Sequence, residues 1–207
     1  MSSNTPWKEP SADERLSAAV EQGRELMVFL ETLGGETDRG VALVVGGYIE
    51  EELKLLLSIN FVPDKKLQKR LFEGGSAPLG TLSSRIDAVY ALGLIPSQAY
   101  RDLHRIRDIR NKFAHSHVPL AFSEPAIQDQ CSTLTRTHLT VRGFGSDPRT
   151  AFIHAAFDIL AMLGAARFRA TPKTPPEAVL EAKREEYRQQ AQQILDGNWG
   201  DAGGPRH

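Results

Sequence analysis

The sequence predicts an all-α fold, and three observations support that expectation. Apolar residues recur at spacings of three and four over most of the chain, as in helices with one buried side. Capping side chains, glycines and prolines separate these stretches, where helices begin and end. Runs with strand character are scarce, and the one at 139–144 has no evident partner. We therefore expect a single bundle of about six or seven helices with an appended C-terminal helix.

Two long helices are predicted in the first part of the chain. One spans 11–33 and ends before a pair of glycines, and the other runs from 37 to about 59 behind a Thr37 cap. The second is apolar over much of its girth, so we expect it to be the central helix of the core. The first carries a narrower stripe that is expected to face the core: Leu16, Val20, Met27 and Leu30.

The middle of the chain combines short elements with one longer helix. Residues 63–72 predict a short basic helix or turn, and the glycines and proline at 74–80 predict a loop. A helix is predicted over 81–92, and a longer one over 95–117 with Pro96 at its first position. The inward residues of the former are expected to be Leu82, Ile86, Val89 and Tyr90.

The last third is expected to contain two further helices and a linker. Residues 118–129 predict a loop that enters a helix. Another helix is predicted over 148–168, with an apolar stripe made of Phe152, Ala156, Ile159, Leu160 and Leu163. Prolines at 171–176 predict a stiff linker, which is followed by a charged helix over 177–195. The chain then divides into a flexible tail (1–10), a helical domain (11–170), the linker (171–176), the appended helix (177–195) and a disordered tail (196–207).

Composition and charge argue against several classes of protein. The 207 residues carry a net charge of −1, which argues against a general nucleic-acid coat held by many phosphate contacts. The single cysteine, Cys131, excludes an internal disulfide framework, and we expect it to be buried. The longest apolar run, 41–49, is too short to span a bilayer, and no signal peptide is recognisable. We expect a cytoplasmic protein with no membrane partner.

The helix predicted over 95–117 carries the densest chemistry of the chain. At about 100° per residue, Arg110 lies within about 20° of Leu103, near the middle of the apolar stripe. An unpaired buried charge is very costly, so Arg110 needs a carboxylate or several carbonyl groups. Asp38 or Asp87 is the expected partner, and this structural ion pair is the favoured interpretation of Arg110.

A polar ridge runs beside that stripe on the same helix. Its members follow each other at i, i+4, i+7 and i+11: His104, Asp108, Asn111 and His115. We expect both histidines to lie on the helix surface, hydrogen-bonded to Asp108 or Asn111. Two potential ligands on one helix, His104 and Asp108, make an incomplete metal site, so no metal and no cofactor are expected.

Four patches of the sequence together resemble the mannitol operon repressor (MtlR-like) family of small all-α bacterial proteins. They occupy 37–43, 77–86, 91–95 and 102–115, and the resemblance covers about residues 25–170. The family motif positions are Asp38, Arg39, Gly40, Pro78, Gly80 and Arg85. The resemblance implies a transcriptional regulator without an obvious DNA-reading module, which acts through an unidentified protein partner.

Residues 110–115 are also similar to the Arg-x4-His signature of the HEPN superfamily. Its catalytic members are metal-independent RNases that work as dimers, so this resemblance implies a homodimer and offers RNA as an alternative partner. Under that alternative, Arg110 would hold the phosphate, His115 would act as acid and base, and Asn111 would be an orienting group.

A third alternative is direct reading of DNA. Residues 81–92 and 96–117 imitate a helix-turn-helix, with Arg101 and Arg105 near the start of the second helix. That second helix is too long and too apolar on one side to lie free in a groove. We therefore favour a non-enzymatic regulator over an RNase or an operator-binding protein.

Overall fold

The computed structural model of the protein describes residues 11–135, 147–171 and 173–195. These parts contain eight helices and no strand, so the prediction of an all-α fold is confirmed. The helices are α1 (Ala12–Leu33), α2 (Asp38–Asn60), α3 (Lys65–Phe72), α4 (Leu82–Ala91), α5 (Ser97–His115), α6 (Pro125–Ser132), α7 (Pro148–Arg169) and α8 (Pro176–Leu195).

Three predictions fall outside the described residues. They are the flexible tail at 1–10, the strand character of 139–144 and the disordered tail at 196–207. The division of the rest of the chain into a helical domain, a linker and an appended helix stays a prediction.

Side-chain caps determine where several helices begin. Ser11 and Glu14 form a reciprocal capping box at α1, because each side chain bonds the backbone N–H of the other. Thr37 Oγ1 accepts the N–H of Gly40 at 3.0 Å at the start of α2. Pro96 is the residue before α5 rather than its first helical residue, so the predicted start of that helix was one residue early.

Helix α2 lies at the centre of the bundle because apolar side chains cover most of its circumference. It packs against α4, α5 and α7, as predicted for the core helix. Its fully enclosed apolar residues are Val41, Ala42, Val45, Ile49, Leu53, Leu56 and Leu57. The predicted stripe of α7 is buried as well, and it closes the other side of the core.

The predicted buried face of α1 was wrong at three of its four residues. Leu16, Val20 and Met27 are 65%, 59% and 54% exposed, and only Leu30 packs partly buried against the core. The buried residues of this helix are Leu26 and Leu33. Helical winding places this pair about 80–140° away from the three exposed residues, on the side where α7 contacts α1. Spacing identifies an apolar face but not the neighbour that covers it. The three exposed residues are called the α1 stripe below.

Helix α7 is long and apolar enough, by length and composition alone, to cross a membrane. The sequence analysis considered the run at 41–49 instead and did not identify this helix. Half of its most apolar window is buried within the protein, against α1, α2, α5 and α6. Core helices of this kind have the same composition as membrane spans.

Helix α8 follows the proline-rich stretch and begins at Pro176, one residue before its predicted start. Its described side chains are exposed almost throughout, including the seam residues Leu180 and Tyr187. Isolated helices of this length are marginal in water. The helix therefore depends on its own local interactions, such as the 2.9 Å ion pair of Arg188 with Glu185.

Candidate functional site

Helix α5 lies inside the bundle, in contact with α2, α4, α6 and α7. Its predicted apolar stripe is confirmed, since Leu103, Ile106, Ile109 and Phe113 are all buried. Phe113 continues into the core through Phe122, whose ring centroid is 4.8 Å away. This face is therefore held by the protein's own core, and it is not available to a DNA groove.

The ion pair predicted for Arg110 is not formed between the described residues. Asp38 instead pairs with Arg149 at 2.6 Å, at the junction of α2 and α7. Asp87 accepts the hydroxyl of Tyr100 at 2.9 Å and lies 3.1 Å from His104 Nε2. Both carboxylates thus have other partners, and the prediction was wrong because spacing alone could not orient them.

Arg110 is half-buried at the contact between α5 and α2. Its stem crosses α2 at Gly46, where a Cβ atom would lie only 2.7 Å from the Arg110 Cγ. Nη1 donates to Asn111 Oδ1 at 3.0 Å. Nε is enclosed and has no hydrogen-bond partner among the residues that the structure describes. Glycine at position 46 therefore lets the guanidinium reach the edge of the core.

The arginine that is buried with a carboxylate is Arg85, on α4. Its side chain is 8% exposed, and Nη1 lies 3.4 Å from Glu50 Oε1. Nε donates to the carbonyl oxygen of Leu79 at 2.8 Å, and the guanidinium lies over the ring of Phe72. The sequence analysis named Arg85 only as a family motif position. Its spacing between Leu82 and Val89, in the apolar stripe of α4, was the available signal.

The polar ridge does not form one hydrogen-bonded network. Asp108 lies 2.6 Å from Arg107, its neighbour in sequence, and His104 contacts Asp87 instead of Asp108. His115 is exposed at the end of α5. The expected pairing of His104 with a residue of its own helix was therefore wrong. Within the described parts of the chain, no three His, Cys, Asp or Glu side chains could hold a metal ion together.

A groove of about 400 Å³ lies where the start of α4 meets α5. Arg107 Nη1 donates to Ser83 Oγ at 2.6 Å across this groove. Arg110, Asn111 and Glu50 of α2 also line it. The remaining lining residues are Thr81 and Leu82. The groove therefore gathers two guanidinium groups, one carboxylate, one amide and two hydroxyl groups at one surface.

The family motif positions at the start of α2 hold helices together. Asp38 Oδ2 accepts the N–H of Phe122 at 2.8 Å. Arg39 donates to the carbonyl oxygens of Ala114 and Ser116, at 3.1 and 3.3 Å, and so caps the end of α5. The contacts of Arg39 position the last turn of α5, and the side chains of Asp38 and Arg39 therefore both have structural roles.

The motif positions at 78–80 belong to the turn that precedes α4. Gly80 donates to the carbonyl oxygen of Ala77 at 3.0 Å, and a Cβ atom at position 80 would lie 3.1 Å from that oxygen. Pro78 is exposed in the same turn. Gly40 lies in the first turn of α2, where its N–H is capped. These motif positions therefore form the turn before α4 and the first turn of α2.

Comparison with known proteins gives one family. The family model described as "Mannitol repressor" matches residues 30–142. Two relatives from Escherichia coli, strains K12 and CFT073, both described as "Mannitol operon repressor", are 29% identical over 117 residues. That match covers 54% of this chain and 60% of each relative, so the chain spans less than two thirds of their length.

One solved structure also resembles this chain. It is a chain of the "X-ray structure of the MtlR-HPr complex from Escherichia coli", with a TM-score of 0.51 and 20% sequence identity. The superposition covers 72% of this chain and 99% of that chain. At this level of identity the likeness shows a shared fold.

Proposed function

The chain belongs to the mannitol repressor family, and from that premise we propose that it is a non-enzymatic transcriptional regulator acting through another protein. The relatives are named as operon repressors, but the match covers only part of their length. Their activity is therefore a proposal for this chain. Two properties of the bundle support the version in which the protein does not read DNA itself.

The first property is the position of the helix that would have to enter DNA. The buried face of α5 includes Ala99 and Asp102 near its start, where a recognition helix contacts base edges. The net charge of −1 also provides little of the phosphate attraction on which DNA affinity rests. Both observations argue for an indirect role in transcription.

The second property, the α1 stripe, is the observation that carries the proposal. Its three large apolar side chains are mostly exposed along one side of α1. Exposed apolar surface that runs along a helix marks protein contact sites, whereas isolated exposed residues are normal. The stripe precedes residue 30, where the family match begins, so it is argued for this chain alone.

Charges around the α1 stripe indicate the chemistry of the partner. Helix α1 contains five acidic residues and two basic ones. Opposite potentials at the rim of an interface speed association and select partners. We expect a partner whose apolar patch is bordered by lysine and arginine. The neighbour of known structure was solved in complex with HPr, which makes HPr the first candidate to test.

A homodimer is proposed as the working state. Its support is the similarity of residues 110–115 to a superfamily whose catalytic members work as dimers. The exposed end of the polar ridge on α5, at His115, offers a hydrogen-bonding group to a second copy. The α1 stripe lies on another helix and would remain free in such a dimer.

Titration of the purified chain with purified Escherichia coli HPr tests the proposal. We expect binding that weakens by at least about tenfold in Leu16→Asp and Val20→Asp, because interface anchors of this size dominate binding energy. Tyr187→Asp is the control, since it places the same charge on an exposed aromatic residue of α8. Sequence-specific and salt-sensitive DNA binding by the chain alone would contradict the proposal.

A metal-independent RNase is the second candidate function. The observation in its favour is that Arg110 lacks the carboxylate expected of a structural arginine, while His115 is exposed. The two residues lie about 140° apart around α5, so they would act across a dimer rather than within one chain. Cleavage of single-stranded RNA without added metal, lost in His115→Ala, would establish this alternative.

A further inference from the structure

Arg110 is a half-buried cation that forms no ion pair among the described residues, although the Glu50 carboxylate lines the same groove. Its Nε is buried and unbonded within the described residues, and its one hydrogen bond goes to a neutral amide, that of Asn111. Partial burial of a guanidinium without a carboxylate is unfavourable. The arrangement is therefore incomplete as it stands, and an anion would complete it.

The other charges of the groove are already paired. Arg107 directs Nε and Nη2 at Asp108, at 3.1 and 2.6 Å. Glu50, which also lines the groove, lies 3.4 Å from the buried Arg85 and is paired with it. The guanidinium groups of Arg85 and Arg107 are balanced by the carboxylates of Glu50 and Asp108. Arg110 therefore supplies the net positive charge of this site. The positive end of α4, which begins here, has the same sign.

We propose that this groove binds the phosphate group of a small phosphorylated molecule, with Arg110 as the principal ligand. A guanidinium presents a planar fork of donors that matches a phosphate in geometry and charge. Ser83 and Thr81 contribute hydroxyl groups to the lining, and the Asn111 amide lies beside the fork. The groove therefore provides both the charge and the neutral donors that a phosphate uses.

The size of the groove favours a small molecule over a polymer. Its volume of about 400 Å³ lies at the low end of the range for small-ligand sites. A nucleic-acid strand would need further cations in a row to follow its backbone. Among the lining residues, the only other cation is Arg107, which is held by Asp108. This site contains no residue of the α1 stripe, so phosphate binding can be tested independently of binding to the protein partner.

Calorimetric titration with inorganic phosphate and with glycerol 3-phosphate tests the proposal, with glycerol and matched sodium chloride as references. The wild-type chain should bind both phosphates and not glycerol. Asn111→Asp is the decisive variant, because it places a carboxylate where Arg110 already donates at 3.0 Å. It should weaken phosphate binding at least tenfold and raise the melting temperature without ligand. Arg110→Gln should weaken binding to the same extent.

Arg101→Ala is the matched control, since Arg101 is an exposed arginine of the same helix that bonds Gln98. Its phosphate binding should equal that of the wild type. The proposal is overturned if the wild type binds neither phosphate, or if Asn111→Asp and Arg110→Gln bind as well as the control. Single-stranded RNA that displaces glycerol 3-phosphate and binds at least tenfold tighter would assign the groove to RNA instead.

Discussion

Nη1 of Arg85 lies 3.4 Å from the Glu50 carboxylate and donates to the Glu50 carbonyl oxygen at 3.1 Å. The same guanidinium also bonds Leu79, so one side chain joins α2, α4 and the turn before α4. Phe72 closes the site from α3. This contact connects the core to the wall of the groove.

Arg85→Ala should destabilise the protein by about 3–5 kcal/mol, because it leaves a partly buried carboxylate without its partner and removes the hydrogen bonds to two carbonyl groups. Arg85→Lys should recover little of this loss, since an ammonium cannot form the same fork of hydrogen bonds. Urea denaturation measures both. Arg70→Ala, at an exposed arginine of α3, is the control and should change stability by less than about 0.5 kcal/mol.

Substitution of Arg110 should cost much less than that of Arg85. Asp38 and Asp87 both keep their partners in Arg110→Ala, so no carboxylate is left unpaired. We expect a loss of about 1 kcal/mol from packing alone, and less for His115→Ala, which is exposed. Urea denaturation of the two variants provides the values. A loss as large as that of Arg85→Ala would show that Arg110 is a structural ion pair after all.

Stability should depend on pH through Glu52, which is buried on α2. Burial raises the pKa of this carboxyl above its usual 4.5, although Arg167 at 3.5 Å opposes the shift. The folded protein therefore holds this proton to higher pH than the unfolded chain. Its stabilising contribution is full below pH 4.5 and is lost as the pH rises through the folded pKa.

Glu52→Gln removes that titration while keeping the size of the side chain. Relative to the variant, the wild type should lose stability as the pH rises from 4.5 to 7, in urea denaturation at fixed ionic strength. Glu51→Gln is the control, because Glu51 is exposed on the same helix. If the wild type and Glu52→Gln keep a constant difference over this range, Glu52 titrates normally.

Self-association should be visible in solution. We expect light scattering at micromolar concentration to report about twice the chain mass of 22.8 kDa. The dimer should use the polar ridge of α5, so His115→Asp, which places a carboxylate at the exposed end of that ridge, should shift the mass towards that of one chain. A wild-type mass of 22.8 kDa at this concentration would contradict the dimer.

Sequence periodicity predicted which residues share a face more reliably than it predicted their partners. The stripes of α5 and α7 and the central place of α2 followed from spacing, because a helix that is apolar all round must be enclosed. Cys131 is fully buried as expected, and burial raises the pKa of its thiol to about 11. The predicted faces were wrong where burial depends on which neighbouring helix packs against them. This is the case at α1 and at Tyr90, which is exposed and stacks on Tyr100.

The candidate site shows the same limit. Arg110 and Asn111 were identified from one helix, but the groove requires the start of α4 and the glycine on α2 that admits the Arg110 stem. Residues far apart in sequence create such a site, and spacing within one helix contains no information about them. For the same reason the ion pair expected at Arg110 is found at Arg85. Each arginine lies in an apolar stripe, but tertiary packing brings a carboxylate only to Arg85.

Amide hydrogen exchange of the chain alone, with HPr and with duplex DNA distinguishes a regulator that acts through protein contacts from a DNA-binding protein. Exchange should slow over residues 16–28 of α1 when HPr is added, because a bound partner covers the α1 stripe. Duplex DNA at physiological salt should cause no change. Slower exchange over 82–115 with DNA, and none over 16–28 with HPr, would contradict a regulator that acts through protein contacts.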